Sequence, residues 1–155
     1  MSRSGMQMKI KDFLSAADVA IDVAASDKTG LLAQLSARAA SALDLPAEMV
    51  AREIAERDEL GSTGIGGGIA IPHARLREVK RPFGLLIRLR QPIEFHAIDG
   101  RPVDLVFLLL LPAAKQLDQL NTLAAVARKL GDKSLLRRLR NATTGTELYR
   151  ALTEE

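Results

Sequence analysis

Residues 103–111, VDLVFLLLL, form an almost unbroken aliphatic run. A run of this length reads as a strand, and its lack of alternation means that both of its faces are covered. Asp99-Gly100 marks a turn ahead of it and Pro112 stops it. The wider apolar stretch, residues 105–114 with Pro112 inside it, is too short to span a bilayer. A strand dry on both sides needs a layer against each face. The rest of the chain is therefore read for what supplies those layers.

Residues 82–90 read as a second strand, with Phe83, Leu85, Ile87 and Leu89 on one side. Gly84, Leu86, Arg88 and Arg90 take the other side, which is expected to be half wet. A shorter strand covers residues 19–23 after a first element at 10–14. Helices separate these strands. Ser26 and Asp27 offer a start, and Leu31, Leu32, Leu35 and Ala39 mark a buried face. Leu45-Pro46 ends that helix and opens another, whose inner stripe is Val50, Ile54 and Arg57. Later, Leu117, Leu120, Leu123, Ala127 and Leu130 trace an amphipathic helix, with Gly131 as its stop. Leu135, Leu136 and Leu139 mark a shorter one, and Thr144 and Glu147 have capping-box spacing before a last one. Strands alternating with helices predict an α/β fold, a mixed β-sheet sandwiched by α-helices. It is expected to be a single domain over residues 10–155 behind a loose leader at 1–9.

Composition narrows the function classes. Aromatic residues are only 3%, so the core is aliphatic. A net charge of +3 is far from the basic stripe of a nucleic-acid binder. With no cysteine, disulfides, thiolate metal sites and a cysteine nucleophile are excluded. The first residues hold no apolar signal-peptide core, and a cytoplasmic location is expected.

The remaining stretch, residues 60–75 (LGSTGIGGGIAIPHAR), carries five of the eleven glycines within residues 61–68. It ends at Pro72 and His73, one of only two histidines. A P-loop needs Lys-Ser/Thr after the last glycine, and here Ile69-Ala70 follow. A dinucleotide fingerprint needs a strand before the glycines and a helix after them, and the order here is reversed. His73 and His96 lack the spacing and carboxylate neighbours of a zinc site, so no metal and no cofactor is expected. What remains is an imidazole beside main-chain N–H groups, the hydroxyls of Ser62 and Thr63, and an inward Arg57. A neutral imidazole is a competent nucleophile near neutral pH. If it attacks phosphorus, glycine N–H groups and a forked cation can stabilise the phosphoryl oxygens. The alternative from spacing alone is a proline-flanked histidine that merely closes a strand end.

Residues 57–74, RDELGSTGIGGGIAIPHA, closely resemble the signature of the fructose/mannitol-type enzyme IIA domains of the bacterial phosphotransferase system. The resemblance is closest to the nitrogen-regulatory branch. It continues through Ile98-Asp99-Gly100, through residues 102–107 (PVDLVF), and through residues 123–152. It implies a mixed sheet sandwiched by helices. It also implies that His73 accepts a phosphoryl group from an HPr-like carrier, itself charged from phosphoenolpyruvate through an enzyme I-type kinase. Such a protein is a histidine phosphotransferase component working through phosphohistidine. By the same resemblance Arg57 contacts the phosphoryl site, and Ser62, Thr63, Gly64, Gly66 and Gly67 belong to the loop around it.

The chain departs from the family pattern where a second histidine usually stands. Gln119 takes that place, and Asn121 the place of another histidine common in the nitrogen branch. An amide can still donate a hydrogen bond to a phosphoryl oxygen but cannot become a cation. Gln119 is therefore expected in the pocket with a weaker role. His96 is read as a surface histidine, and Arg137, Arg138 and Arg140 as a solvated helix face that could also dock an acidic partner. These residues hold no permease and no second phosphocarrier domain, so regulation through phosphorylation-dependent protein binding is the leading expectation. A sugar-specific IIA that passes phosphate to a separate IIB protein is one alternative. A phosphate-independent binding module, motivated by Gln119, is another.

Overall fold

The computed structural model describes residues 9–114 and 116–154. The expected leader at 1–9 lies outside the described residues except for Lys9. After a 3-10 turn at Ile10–Asp12 come β1 (Leu14–Val23), α1 (Lys28–Leu43) and α2 (Ala47–Glu59). Then follow β2 (Gly64–Gly66), β3 (Ile69–Ala70), β4 (His73–Leu76), β5 (Phe83–Ile93) and β6 (Val103–Pro112). Three helices close the chain: α3 (Gln116–Leu130), α4 (Lys133–Asn141) and α5 (Gly145–Thr153).

The six strands make one mixed sheet in the order β1-β5-β6-β3-β2, with β4 also paired to β6. The aliphatic run is its hub. β6 pairs antiparallel with β5 and parallel with both β3 and β4. Alternate residues of β6 serve different layers. Val106, Leu108 and Leu110 join the core built with α1 and α2, through Leu31, Leu35, Val50 and Ile54. Leu105, Phe107, Leu109 and Leu111 join the opposite core, with Val126, Leu130, Leu139 and Leu148 from α3, α4 and α5. This two-sided cover explains why the run from Leu105 to Leu111 is entirely apolar, Asp104 at its start being paired with Arg140.

Helix starts follow local chemistry. The Asp27 side chain accepts from the Gly30 N–H at 2.8 Å and caps α1. Thr144 caps α5 by accepting from the Glu147 N–H. The Glu147 carboxylate, however, reaches back to the N–H and hydroxyl of Thr143 rather than to Thr144, so the capping box is shifted by one residue.

Two expectations change. On the side of β5 read as half wet, Leu86 is fully buried in the second core while Arg90 is exposed. Arg88 there is not a solvated residue. Its Nη1 donates to the carbonyls of Leu139, Arg140 and Ala142 at 2.9, 3.2 and 2.7 Å, tying the end of α4 to the sheet. The stripe expected on α3 is also displaced: Leu117 and Leu120 are 70% and 63% exposed, while Gln119, Thr122, Val126 and Leu130 face inward.

Phe107, fully buried, meets Phe13 edge-on with ring centroids 6.4 Å apart. Phe107→Ala is expected to cost about 3–5 kcal/mol in urea unfolding, because the surrounding aliphatic side chains cannot close a cavity of that size.

Candidate functional site

The site forms where the end of α2 meets the start of β4. Arg57 lies in the last turn of α2, and its Nη1 donates to the Gly61 carbonyl at 3.0 Å. The Leu60 and Gly61 N–H groups turn back to the carbonyls of Arg57 and Asp58. Asp58 is held in turn by Lys28 at 2.8 Å, and the Lys28 ammonium sits 4.7 Å from the centre of the Phe95 ring. The helix end that presents Arg57 is thus tied to α1.

Ser62 and Thr63 follow, with different employment. The Ser62 hydroxyl donates to the Phe95 carbonyl at 2.8 Å and accepts from the Gly64 N–H at 3.1 Å. Its proton is spent on the scaffold. Thr63 is 5% exposed, and its carbonyl accepts from the Ile71 N–H at 2.9 Å. Its hydroxyl is buried with no partner among the described residues. A buried hydroxyl left unpaired is uncommon and marks a place where a polar group can be received.

Across from Thr63, the chain runs Ile71-Pro72-His73 into β4. The Pro72 carbonyl accepts from the Leu109 N–H at 2.9 Å, and His73 registers opposite Leu109 on β6. His73 Nδ1 lies 2.7 Å from the Ile71 carbonyl. A carbonyl can only accept, so Nδ1 carries the proton and the lone pair is on Nε2. Burial lowers the His73 pKa below the usual imidazole value. The Ile71 carbonyl opposes that shift, and the positive charge of Arg57 adds to it. The ring is therefore half-buried and neutral at neutral pH, with its lone pair on Nε2. Arg57 is close enough for its charge to act on it.

The structure divides the expected loop. Gly64 stays near Thr63, packed so tightly on Ala97 that a Cβ would come within 2.8 Å of the alanine methyl. Gly66 and Gly67 do not join His73. Residues 64–70 form a hairpin, with Gly64 opposite Ala70 and Gly66 opposite Ile69. Ile69 pairs with Leu105 and His73 with Leu109, so the turn lies four residues of strand away from the imidazole, about 13 Å. At that end the Gly67 N–H donates to Asp99 at 2.9 Å, and the Gly67 carbonyl accepts from Arg140 Nη2 at 2.6 Å. The Gly67 and Arg101 N–H groups hold the Asp99 carboxyl below the usual range. Asp99 and Arg140 are thus bound to the signature in a way that no local spacing announces.

Gln119 also departs from expectation. It is 5% exposed, and its amide nitrogen donates to the carbonyls of Pro112 and Ala114. Both amide protons are committed to the β6–α3 connection, which leaves none for a phosphoryl oxygen. Asn121 is exposed on the outer side of α3. His96 is an exposed turn residue, 3.8 Å from Glu94. Among the described residues no cluster of three or more His, Cys, Asp or Glu side chains is gathered for a metal ion. No helix among them is long and apolar enough to cross a membrane.

Comparisons with known proteins agree with this architecture. Residues 12–155 match the family described as "Phosphoenolpyruvate-dependent sugar phosphotransferase system, EIIA 2". The "Nitrogen regulatory protein" of Escherichia coli (strain K12) is 48% identical over 121 residues, 77% of this chain and 74% of that protein. The "Nitrogen regulatory protein" of Bradyrhizobium diazoefficiens is 37% identical over 145 residues, 94% of this chain and 95% of its own length. The crystal structure of nitrogen regulatory protein IIA-Ntr from Neisseria meningitidis superposes with a TM-score of 0.88 at 33% identity. It covers 93% of this chain and 99% of that one.

Proposed function

The chain belongs to the EIIA 2 family of the phosphoenolpyruvate-dependent sugar phosphotransferase system, and on that footing we propose that it is a regulatory phosphocarrier that accepts a phosphoryl group on His73. The observation that carries the reading is the His73 ring itself, half-buried, with Nδ1 fixed on the Ile71 carbonyl and the positive charge of Arg57 acting on it. The donor is an HPr-like carrier bearing a phosphohistidine. Nε2 attacks phosphorus with its lone pair, an N–P bond forms on His73, and the N–P bond of the donor breaks. No base is required, because the attacking nitrogen carries no proton. The positive charge that develops in the ring is shared with Nδ1–H, and the Ile71 carbonyl already accepts that proton. Arg57 meets the phosphoryl oxygens with its forked cation, and the unpaired Thr63 hydroxyl offers a donor. The output is a change in which proteins bind, in the cytoplasm, as His73 gains and loses its phosphoryl group.

The test is transfer in vitro. With phosphoenolpyruvate, an enzyme I-type kinase and an HPr-like carrier, the wild-type chain is expected to take up acid-labile, base-stable phosphate. An unlabelled wild type overturns the reading. Label drained onto a purified IIB protein would instead assign the chain to a sugar relay.

The direction of the His73 shift sets the pH dependence. The folded ring loses its proton more readily than the free imidazole, whose pKa is about 6.5. The rate of labelling is therefore expected to decline with falling pH at a lower pH than it would for a free imidazole. The stability linkage has the same sign. The neutral-ring preference contributes fully above the unfolded value and is lost as pH falls through the folded one. NMR titration of the His73 ring checks both, and a midpoint at or above 6.5 contradicts them.

A further inference from the structure

The signature hairpin has an unusual weakness. β2 lies at the end of the sheet and consists of Gly64-Ile65-Gly66, so β3 is its one strand partner, a single Ile98 N–H reaches its other side, and it has a single side chain. Register in a glycine-rich strand is poorly specified by side-chain pattern, and a slip of one residue moves the strand by about 3.3 Å and reverses its faces. Such a slip would carry Thr63 away from Ile71 and so away from His73. Something outside the hairpin must hold it.

It is held at both ends: near Thr63 by Ser62 on the Phe95 carbonyl and by the Ile98 N–H on the Gly64 carbonyl, and at the other end by the turn. Gly66, Gly67 and Gly68 all have positive φ, at 99°, 69° and 82°, and the two polar groups of Gly67 are gripped from opposite partners. Asp99 takes the N–H. Arg140 takes the carbonyl, and its guanidinium is itself fixed by Asp104, with Nε to Oδ2 at 3.1 Å and Nη2 to Oδ1 at 2.9 Å. Asp104 lies on β6, and Arg88 of β5 holds the helix end that carries Arg140. The clamp therefore refers the turn to the two central strands of the sheet. The space is tight: a Cβ on Gly68 would fall 2.6 Å from Arg140 Nη2 and 3.0 Å from Asp104 Oδ1. The neighbouring Arg138, by contrast, pairs at 2.9 Å with Glu154 and, among the described residues, makes no hydrogen bond to the hairpin.

We propose that Arg140 is a positioning residue for the phosphoryl site: clamped to Asp104, it fixes the register of β2 on β3 and so sets Thr63 beside Ile71 and His73. The functional half rests on His73 being the phosphoryl acceptor, whereas the register half does not. The experiment separates them. Amide exchange by NMR on the full chain follows the Ile71 N–H, which is bonded to the Thr63 carbonyl. Arg140→Gln is expected to speed Ile71 exchange about 10-fold or more, while amides between β5 and β6 keep their wild-type rates. Labelling by the HPr-like carrier should fall about 10-fold in the same variant. Arg138→Gln should change neither. Asp104→Asn, which weakens the clamp without changing its size, should move both readouts in the same direction by less. Ile71 exchange at the wild-type rate in Arg140→Gln overturns the proposal, as does an equal effect of Arg138→Gln. Faster Ile71 exchange with undiminished labelling overturns its functional half. A wild type that takes no label refutes the phosphocarrier reading instead, and Ile71 exchange still decides the clamp.

Discussion

Labelling of His73→Ala is expected to fall to background, a loss of more than about 10³-fold, with the fold retained. Nothing near the site can replace the nucleophile. The Thr63 hydroxyl is a poor one without a base, and the Ser62 proton is committed to the Phe95 carbonyl. The chain has two histidines, so the control is decisive. His96 is exposed and flanked by Glu94, and His96→Ala should label at the wild-type rate. The structural cost of His73→Ala is small. The main chain at this position keeps its pairing with Leu109, and the side chain gives up one hydrogen bond to the Ile71 carbonyl, about 0.5–1.5 kcal/mol. Urea unfolding alongside the labelling assay distinguishes lost chemistry from a lost fold. Label that survives in His73→Ala but not in His96→Ala would move the acceptor to the other ring.

What the sequence made legible, and what it hid, follows from how far apart the determining partners lie. The aliphatic run at 103–111 could be read as a two-faced strand because seven successive apolar residues, Leu105 to Leu111, carry its environment in their own side chains. The Asp27 cap could be read because its target, the Gly30 N–H, is three residues away. The glycine stretch could not. Its turn is defined by Asp99, Asp104 and Arg140, which lie 32 to 73 residues from the turn they hold. Glycine density alone suggests a pliable loop next to the histidine, whereas the chain uses the glycines to build a hairpin whose tip is remote from it. Arg140 looks like Arg137 and Arg138 in sequence, and only the position of Asp104 separates it from a solvated face. The α3 stripe was misleading for a similar reason. Leucine spacing favoured Leu117 and Leu120 as core. The inner position instead goes to Gln119, because the carbonyls of Pro112 and Ala114 are there to accept from its amide. The tautomer of His73 was hidden as well, because it depends on the Ile71 carbonyl two residues back.

Arg57→Ala is expected to slow phosphoryl transfer by about 10²–10³-fold, the usual loss when a preorganised donor to the reacting group is removed. The phosphoryl group carries three oxygens into the site, and Gln119 can offer them neither a cation nor a free N–H. The burden falls on the Arg57 guanidinium, of which, among the described residues, only Nη1 is engaged, by the Gly61 carbonyl. Arg57→Lys should recover part of the rate, since a point charge remains but the planar fork does not. The variant has a second signature that a merely structural change would not produce. Arg57 lowers the His73 pKa by its charge, so removing it raises that pKa. More of the ring is then protonated and inert at pH 6 than in the wild type, while at pH 8 both are neutral. The deficit of Arg57→Ala should therefore be larger at pH 6 than at pH 8, and the His73 midpoint seen by NMR should move upward. An unchanged midpoint would mean that the guanidinium does not act on the ring. A rate within a few-fold of wild type at both pH values would remove Arg57 from the transfer step altogether.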